Sequence, residues 1–187
     1  MSFAAGNKNR YLALELPPSV RYELGGMAWN EIRKQIPNFK PMDYTDLHMT
    51  VAYLGNLAQN IGPKNLKSGL VELDMIMQEF NKRPITTLEF AGYELFSEKQ
   101  NLIVAKFNIG AADKLRVEKM KVICADKFGD DVDVRDFTPH ITLGKIPNCN
   151  ATNKLNIQDL DLPRMYERIC VPVEEFELSG KIYLAPR

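Results

Sequence analysis

The chain contains two histidines, and both stand in the same short phrase. His48-Met49-Thr50 lies inside DLHMTVAYLG, and His140-Ile141-Thr142 lies inside FTPHITLGK. Each phrase runs through apolar and β-branched residues to a glycine, Gly55 or Gly144, and so predicts a strand. Side chains alternate along a strand, so His48 shares a face with Thr50, and His140 with Thr142. An imidazole changes charge near neutral pH (~6.5) and a hydroxyl donates a hydrogen bond. Two such pairs supply a general acid, a general base and two donors for the oxygens of one phosphate. Two histidines that each have Thr two places on is a chance event of roughly a few in a thousand at average composition.

Nothing beside these pairs forms a metal set. There is no HxH or CxxC spacing, so the chemistry is expected to run without a metal or cofactor. Asp130-Asp131 and Glu174-Glu175 read as solvated charges in loops. Cys124, Cys149 and Cys170 are scattered, and an odd, unpatterned set predicts a reduced, intracellular protein.

The elements that must position the pairs follow from periodicity. Residues 1–9 are small and polar and read as a flexible tail; residues 10–187 read as one bilobal domain. Leu12, Leu14 and Leu16 alternate with Tyr11, Ala13 and Glu15, a half-buried strand ended by Pro17-Pro18. A helix is expected from Ser19, as N-cap, to Ile36, weakened at Gly25-Gly26. After the first histidine strand, Asn56–Gly62 reads as a loop. Pro63 opens a helix whose buried stripe is Leu66, Leu70, Leu73, Met77 and Phe80. Strands at about 86–96 and 101–107 come next, turning near Gln100. A helix over 111–128 follows, with Val117, Met120, Cys124 and Phe128 inward and Gly129 closing it. The second histidine strand, a polar loop over 147–163 and a closing strand or hairpin around 172–184 complete the chain. The order is β-α-β-α-β-β-α-β-β, with a histidine strand after a helix in each half.

Lysine plus arginine and aspartate plus glutamate both number 24. Proteins that grip long nucleic acids carry a basic excess, because phosphate neutralisation drives that binding. The balance here favours a small nucleotide or an RNA end. No stretch is long and apolar enough to span a bilayer and the N-terminus has no apolar core of a signal sequence, so a cytoplasmic monomer is expected, in the host cytoplasm if the source is viral.

With these residues in view, the chain resembles the 2H phosphoesterase superfamily, which is named for two H-x-[TS]-φ motifs. That group includes 2′-5′ RNA ligase-like proteins, cyclic phosphodiesterases, and viral or phage enzymes that degrade nucleotide signals. The resemblance extends to RYLALELPPSVRYEL as first strand and helix, LHMTVAYLG and FTPHITLGK as motif strands, and VEEFELSGKIYL as closing strand. It implies an α+β fold of two pseudo-symmetric lobes, with antiparallel sheets lining a central groove. It also implies His48, Thr50, His140 and Thr142 as the catalytic set. The implied substrates are small nucleotides: 2′-5′ oligoadenylates, cyclic nucleotides or dinucleotides, or an RNA end bearing a 2′,3′-cyclic phosphate. Which histidine is the base stays open. A non-catalytic nucleotide-binding module is the alternative of another class, but it has no need of two proton-transfer groups.

Substrate choice would then come from the groove walls. Tyr11 faces away from the leucine face and either stacks on a base or is an ordinary half-exposed strand aromatic. Arg135 either pairs with a phosphate or, the favoured reading, with Asp133 or Asp136. Phe96, Tyr93 and Trp29 are expected in the core, and Lys145 at a strand end.

Overall fold

The computed structural model describes residues 9–83, 85, 87–96, 101–147, 156–163, 169–170 and 178–183. Residues 1–8 of the expected tail, the turn at 97–100, much of the 147–163 loop and the segment 171–177 lie outside these. Asn9, expected in the tail, opens the first strand.

β1 (Asn9–Glu15) forms where the sequence alternates, with Leu12, Leu14 and Leu16 fully buried. α1 (Pro18–Met27) begins on the proline pair. Ser19 is not its cap: Pro17 holds that position with no side-chain bond, and Pro18 sits in the first turn, where a missing N–H leaves nothing unpaired. The glycine pair does not break the helix. Gly25 is there for packing, since a Cβ would lie 2.6 Å from the Tyr44 Cβ. The irregularity comes just after it, as a π-helical turn over Ala28–Ile32 that leads into α2 (Arg33–Gln35). A short β2 (Lys40–Pro41) precedes β3 (His48–Gly55), the first motif strand.

The expected loop after β3 contains α3 (Leu57–Asn60), where the Asn56 side chain accepts from the Gln59 N–H. A 3-10 turn over Pro63–Asn65 leads into α4 (Leu66–Asn81), which buries Leu73 and Phe80 and packs Leu66, Leu70 and Met77 at the core edge. β4 (Thr87–Phe96) and β5 (Leu102–Asn108) pair as neighbours. α5 (Ala111–Phe128) buries Val117, Met120, Cys124 and Phe128, as the period requires, and Lys121 with them. Gly129 ends it at φ +97°, a conformation that favours glycine. β6 (His140–Lys145) is the second motif strand; β7 (Ile169–Cys170) and β8 (Leu178–Tyr183) follow.

The strands form two antiparallel sheets, β3-β1-β8 and β2-β6-β5-β4-β7. The expected order is found, with β2 and β7 as short additions. β3 and β6 belong to different sheets and pack side by side without pairing. The leucines of β1, Met49, Ile141 and Leu143 lie in one core that also holds α5. The two motif strands therefore meet because both sheets close on that core.

Candidate active site

Strand register decides which side chains reach the space between the sheets. Along β1 and β3 the partners are Glu15 with His48, Ala13 with Thr50, Leu12 with Ala52 and Tyr11 with Tyr53. Val51 has no partner, so the register slips by one residue directly after Thr50. Along β5 and β6 the partners are Lys106 with His140, Val104 with Thr142, Ile103 with Gly144 and Leu102 with Lys145. Leu143 has no partner, and the slip again falls directly after the threonine. Directly opposed residues share a face, so His48, Thr50 and Tyr53 lie together, as do His140, Thr142 and Lys145. Strict alternation would bring Ala52 and Gly144 to those last positions. The slip keeps both small residues buried and turns the fifth residue after each histidine onto the working face.

The two histidines are held alike. His48 Nδ1 lies 2.6 Å from the Asp46 carbonyl and His140 Nδ1 lies 2.7 Å from the Thr138 carbonyl. A carbonyl oxygen only accepts, so each ring carries a proton on Nδ1, and whenever the ring is neutral its lone pair is on Nε2. Each ring is backed by an aromatic. Tyr11 stacks on His48 at 4.9 Å between centroids and 21° between planes, and Phe96 lies against His140 at 4.4 Å and 44°. Burial pulls the His140 pKa below its ordinary value. The Thr138 carbonyl and Glu94 oppose this and Lys106 adds to it, while Glu94 and Lys106 pair with each other at 2.6 Å, so the ion pair leaves burial in control.

A groove of about 510 Å³ joins residues from both halves: Thr50, Tyr53, Phe96, Lys121, Arg135 and His140 are among those lining it. Of the residues singled out from sequence, Tyr11 stands on the working face, against His48. Arg135 makes the expected pair with Asp133, two contacts of 2.9 and 2.8 Å, and this holds the Asp133 carboxyl down at about 2. Its side chain is nonetheless 88% exposed and lines the groove. Phe96 is not core: it is half-buried on the groove wall, because it stands on the β4 face that carries Glu94. Tyr93, on the other face, packs against the core, and its hydroxyl donates to the Pro163 carbonyl at 3.0 Å. Trp29 is not core either. It is 48% exposed beneath the Arg33 guanidinium, one residue round the helix from buried Ala28.

Sequence reasoning missed Tyr53, Lys121 and the working face of Lys145. The slips that aim Tyr53 and Lys145 depend on the partner strand. The signal for Lys121 was legible, as a lysine between Val117 and Cys124 on the inward stripe of α5. Among the described residues no cluster of His, Cys, Asp and Glu could hold a metal ion, and no helix is long and apolar enough to cross a membrane.

No protein-family model matches the chain, and no curated protein sequence does. Solved structures do match in fold. Escherichia coli LigT complexed with 3′-AMP superposes with a TM-score of 0.67 at 17% identity, covering 96% of this chain and 90% of LigT. LigT complexed with NADP+ gives 0.64 at 14% identity, covering 95% of each chain. A protein described as a phosphoesterase gives 0.60 at 16% identity, covering 88% of this chain and 84% of its own. These overlaps take in most of the chain, so the chain shares the α+β fold of LigT, with its antiparallel sheets.

Proposed function

We propose that the protein is a metal-independent phosphodiesterase that cleaves 2′-5′ linkages or opens 2′,3′-cyclic phosphates in small nucleotides, including 2′-5′ oligoadenylate and cyclic dinucleotide signals. One observation carries this reading: two imidazoles, each held through Nδ1 by a backbone carbonyl, stand beside threonines on strands that pack together, with Thr50 and His140 lining one nucleotide-sized groove. His140, kept neutral by burial, is the general base. Its Nε2 takes the proton from water when the substrate is a cyclic phosphate, or from the neighbouring 3′-hydroxyl when it is a 2′-5′ linkage. His48, entering the step as an imidazolium with protons on both ring nitrogens, is the general acid and gives its Nε2 proton to the leaving oxygen. Thr50 and Thr142 donate to the non-bridging oxygens, where charge builds in the transition state. Tyr11 and Tyr53 offer rings for a base, and Arg135 and Lys145 offer cations for phosphate. Structures of LigT with 3′-AMP and NADP+ support a ligand of this size. In this reading the enzyme works as a monomer in the cytoplasm.

A second reading, processing of an RNA end, draws on one feature. Lys40 and Lys145 are both exposed and directly opposed across β2 and β6, a basic edge along which a strand could leave the groove. A panel assay in EDTA separates the readings. It compares 2′,3′-cyclic mononucleotides, 2′-5′ and 3′-5′ oligoadenylates, cyclic dinucleotides and RNA with a cyclic-phosphate end, with products identified. Turnover of the small 2′-linked or cyclic nucleotides is expected; no turnover of any, or turnover abolished by EDTA, would sink the proposal.

A further inference from the structure

Lys121 is the only buried charged side chain among the described residues, at 4% exposure. It sits on the inward stripe of α5, where a methionine or leucine would fill the space without the cost of burying a charge. Its ammonium donates to the Arg135 carbonyl, and it forms part of the groove wall. Burial lowers its pKa, against the opposing pull of Asp133.

The Arg135 carbonyl belongs to a short connector tied at both ends. At one end the Asp133 N–H donates to the Tyr53 carbonyl at 3.1 Å, on the first motif strand. At the other the Phe107 N–H donates to the Pro139 carbonyl at 3.0 Å, on the second sheet. Between these ties lies Thr138, whose carbonyl holds the His140 proton on Nδ1. The connector thus bridges the two halves of the site and sets the state of one histidine. Arg135 braces it locally through Asp133, and Lys121 anchors it to the helix beneath.

We propose that Lys121 is a positioning residue: it holds the Asp133–Thr138 connector so that the Thr138 carbonyl fixes the His140 tautomer. The inference rests on the reading of His140 as a proton-transfer group, and it acts through that residue without touching substrate. A neutral donor of similar length at position 121 keeps the bond to the Arg135 carbonyl; an apolar side chain removes it and leaves that carbonyl unpaired.

The chain's two histidines make the test direct. Ring-nitrogen signals of 15N-labelled protein report each tautomer, and His48, held by Asp46 on another segment, is the internal control. In Lys121→Met, His140 is expected to shift toward the Nε2–H tautomer while His48 stays as in the wild type. With a 2′,3′-cyclic nucleotide, kcat is expected to fall at least tenfold and KM to stay within about twofold. Lys121→Gln is expected to retain the wild-type tautomer and most of kcat. Should Lys121→Met not fold, Asp133→Ala, which removes the other side-chain brace, is expected to give the same selective shift. An unchanged His140 signal in the folded variant overturns the proposal, as does a shift of both histidines or a loss confined to KM. The tautomer is read without substrate. A selective His140 shift in a protein that turns over no nucleotide would therefore keep the positioning role and refute the phosphodiesterase reading.

Discussion

His140→Ala tests the proposed chemistry most directly. General acid–base catalysis contributes about 10²- to 10⁴-fold, or ~2.7–5.4 kcal/mol of barrier. What the fold loses is smaller. The side chain makes one bond to the Thr138 carbonyl at 2.7 Å and one ring contact with Phe96 at 4.4 Å. A net hydrogen bond is worth about 0.5–1.5 kcal/mol, and an aromatic pair a similar amount. The variant is therefore expected to lose about 1–3 kcal/mol of a total near 5–15 and to remain folded at 25 °C. Urea titration measures the stability, and single-turnover rates on a 2′,3′-cyclic nucleotide in EDTA measure the chemistry. His48→Ala is expected to lose a comparable factor. Because acid and base act in one step, the double variant is expected to be little worse than the poorer single. A folded His140→Ala protein within tenfold of wild type, or a double variant whose loss is the product of the two singles, would refute the reasoning.

Three further outcomes follow from the geometry. Thr50→Val and Thr142→Val each remove a donor to the developing charge and are expected to cost about 10²–10³ in kcat with little change in stability; a loss confined to KM would place these hydroxyls in ground-state binding instead. Phe96→Ala readmits water to His140 and so raises its lowered pKa toward ordinary histidine values. Activity needs the neutral base, so the acid limb of the kcat/KM profile is expected to move to higher pH, and a limb that stays or moves down would contradict the assignment. The same burial makes a stability contribution that is present above about 6.5, the unfolded value, and lost as pH falls through the lower folded value. Gly144→Ala places a Cβ against the Lys40 carbonyl and 2.5 Å from the Phe39 ring. It is expected to destabilise by about 1–3 kcal/mol, read as a lower urea midpoint at unchanged slope; an unaltered midpoint would show that β2 is free to move.

Much of the architecture was legible from local pattern. The β1 leucines at 12, 14 and 16 and the α5 stripe at 117, 120, 124 and 128 are buried as their periods require, because facing a core is a local property of a strand or helix. The boundary of α1 was misread because the proline pair starts it without a capping side chain. Trp29, expected in the core, is outside it because its place on the helix turns it outward.

The sequence by itself determined the chemistry on offer: two imidazoles, each two residues from a hydroxyl, with no HxH or CxxC spacing beside them. Alternation alone put each histidine and its threonine on one face. Only the tertiary structure decided that the two faces meet, since β3 and β6 lie in different sheets and are brought together by a shared core. It also decided that His140 is covered by protein, which pulls its pKa below the ordinary value, and that Phe96, far away in sequence, lies against its ring. The slips after Thr50 and Thr142 belong to the partner strands too. A register is a relation between two strands, so no single strand's sequence could show that Tyr53 and Lys145 share the faces of the two histidine–threonine pairs.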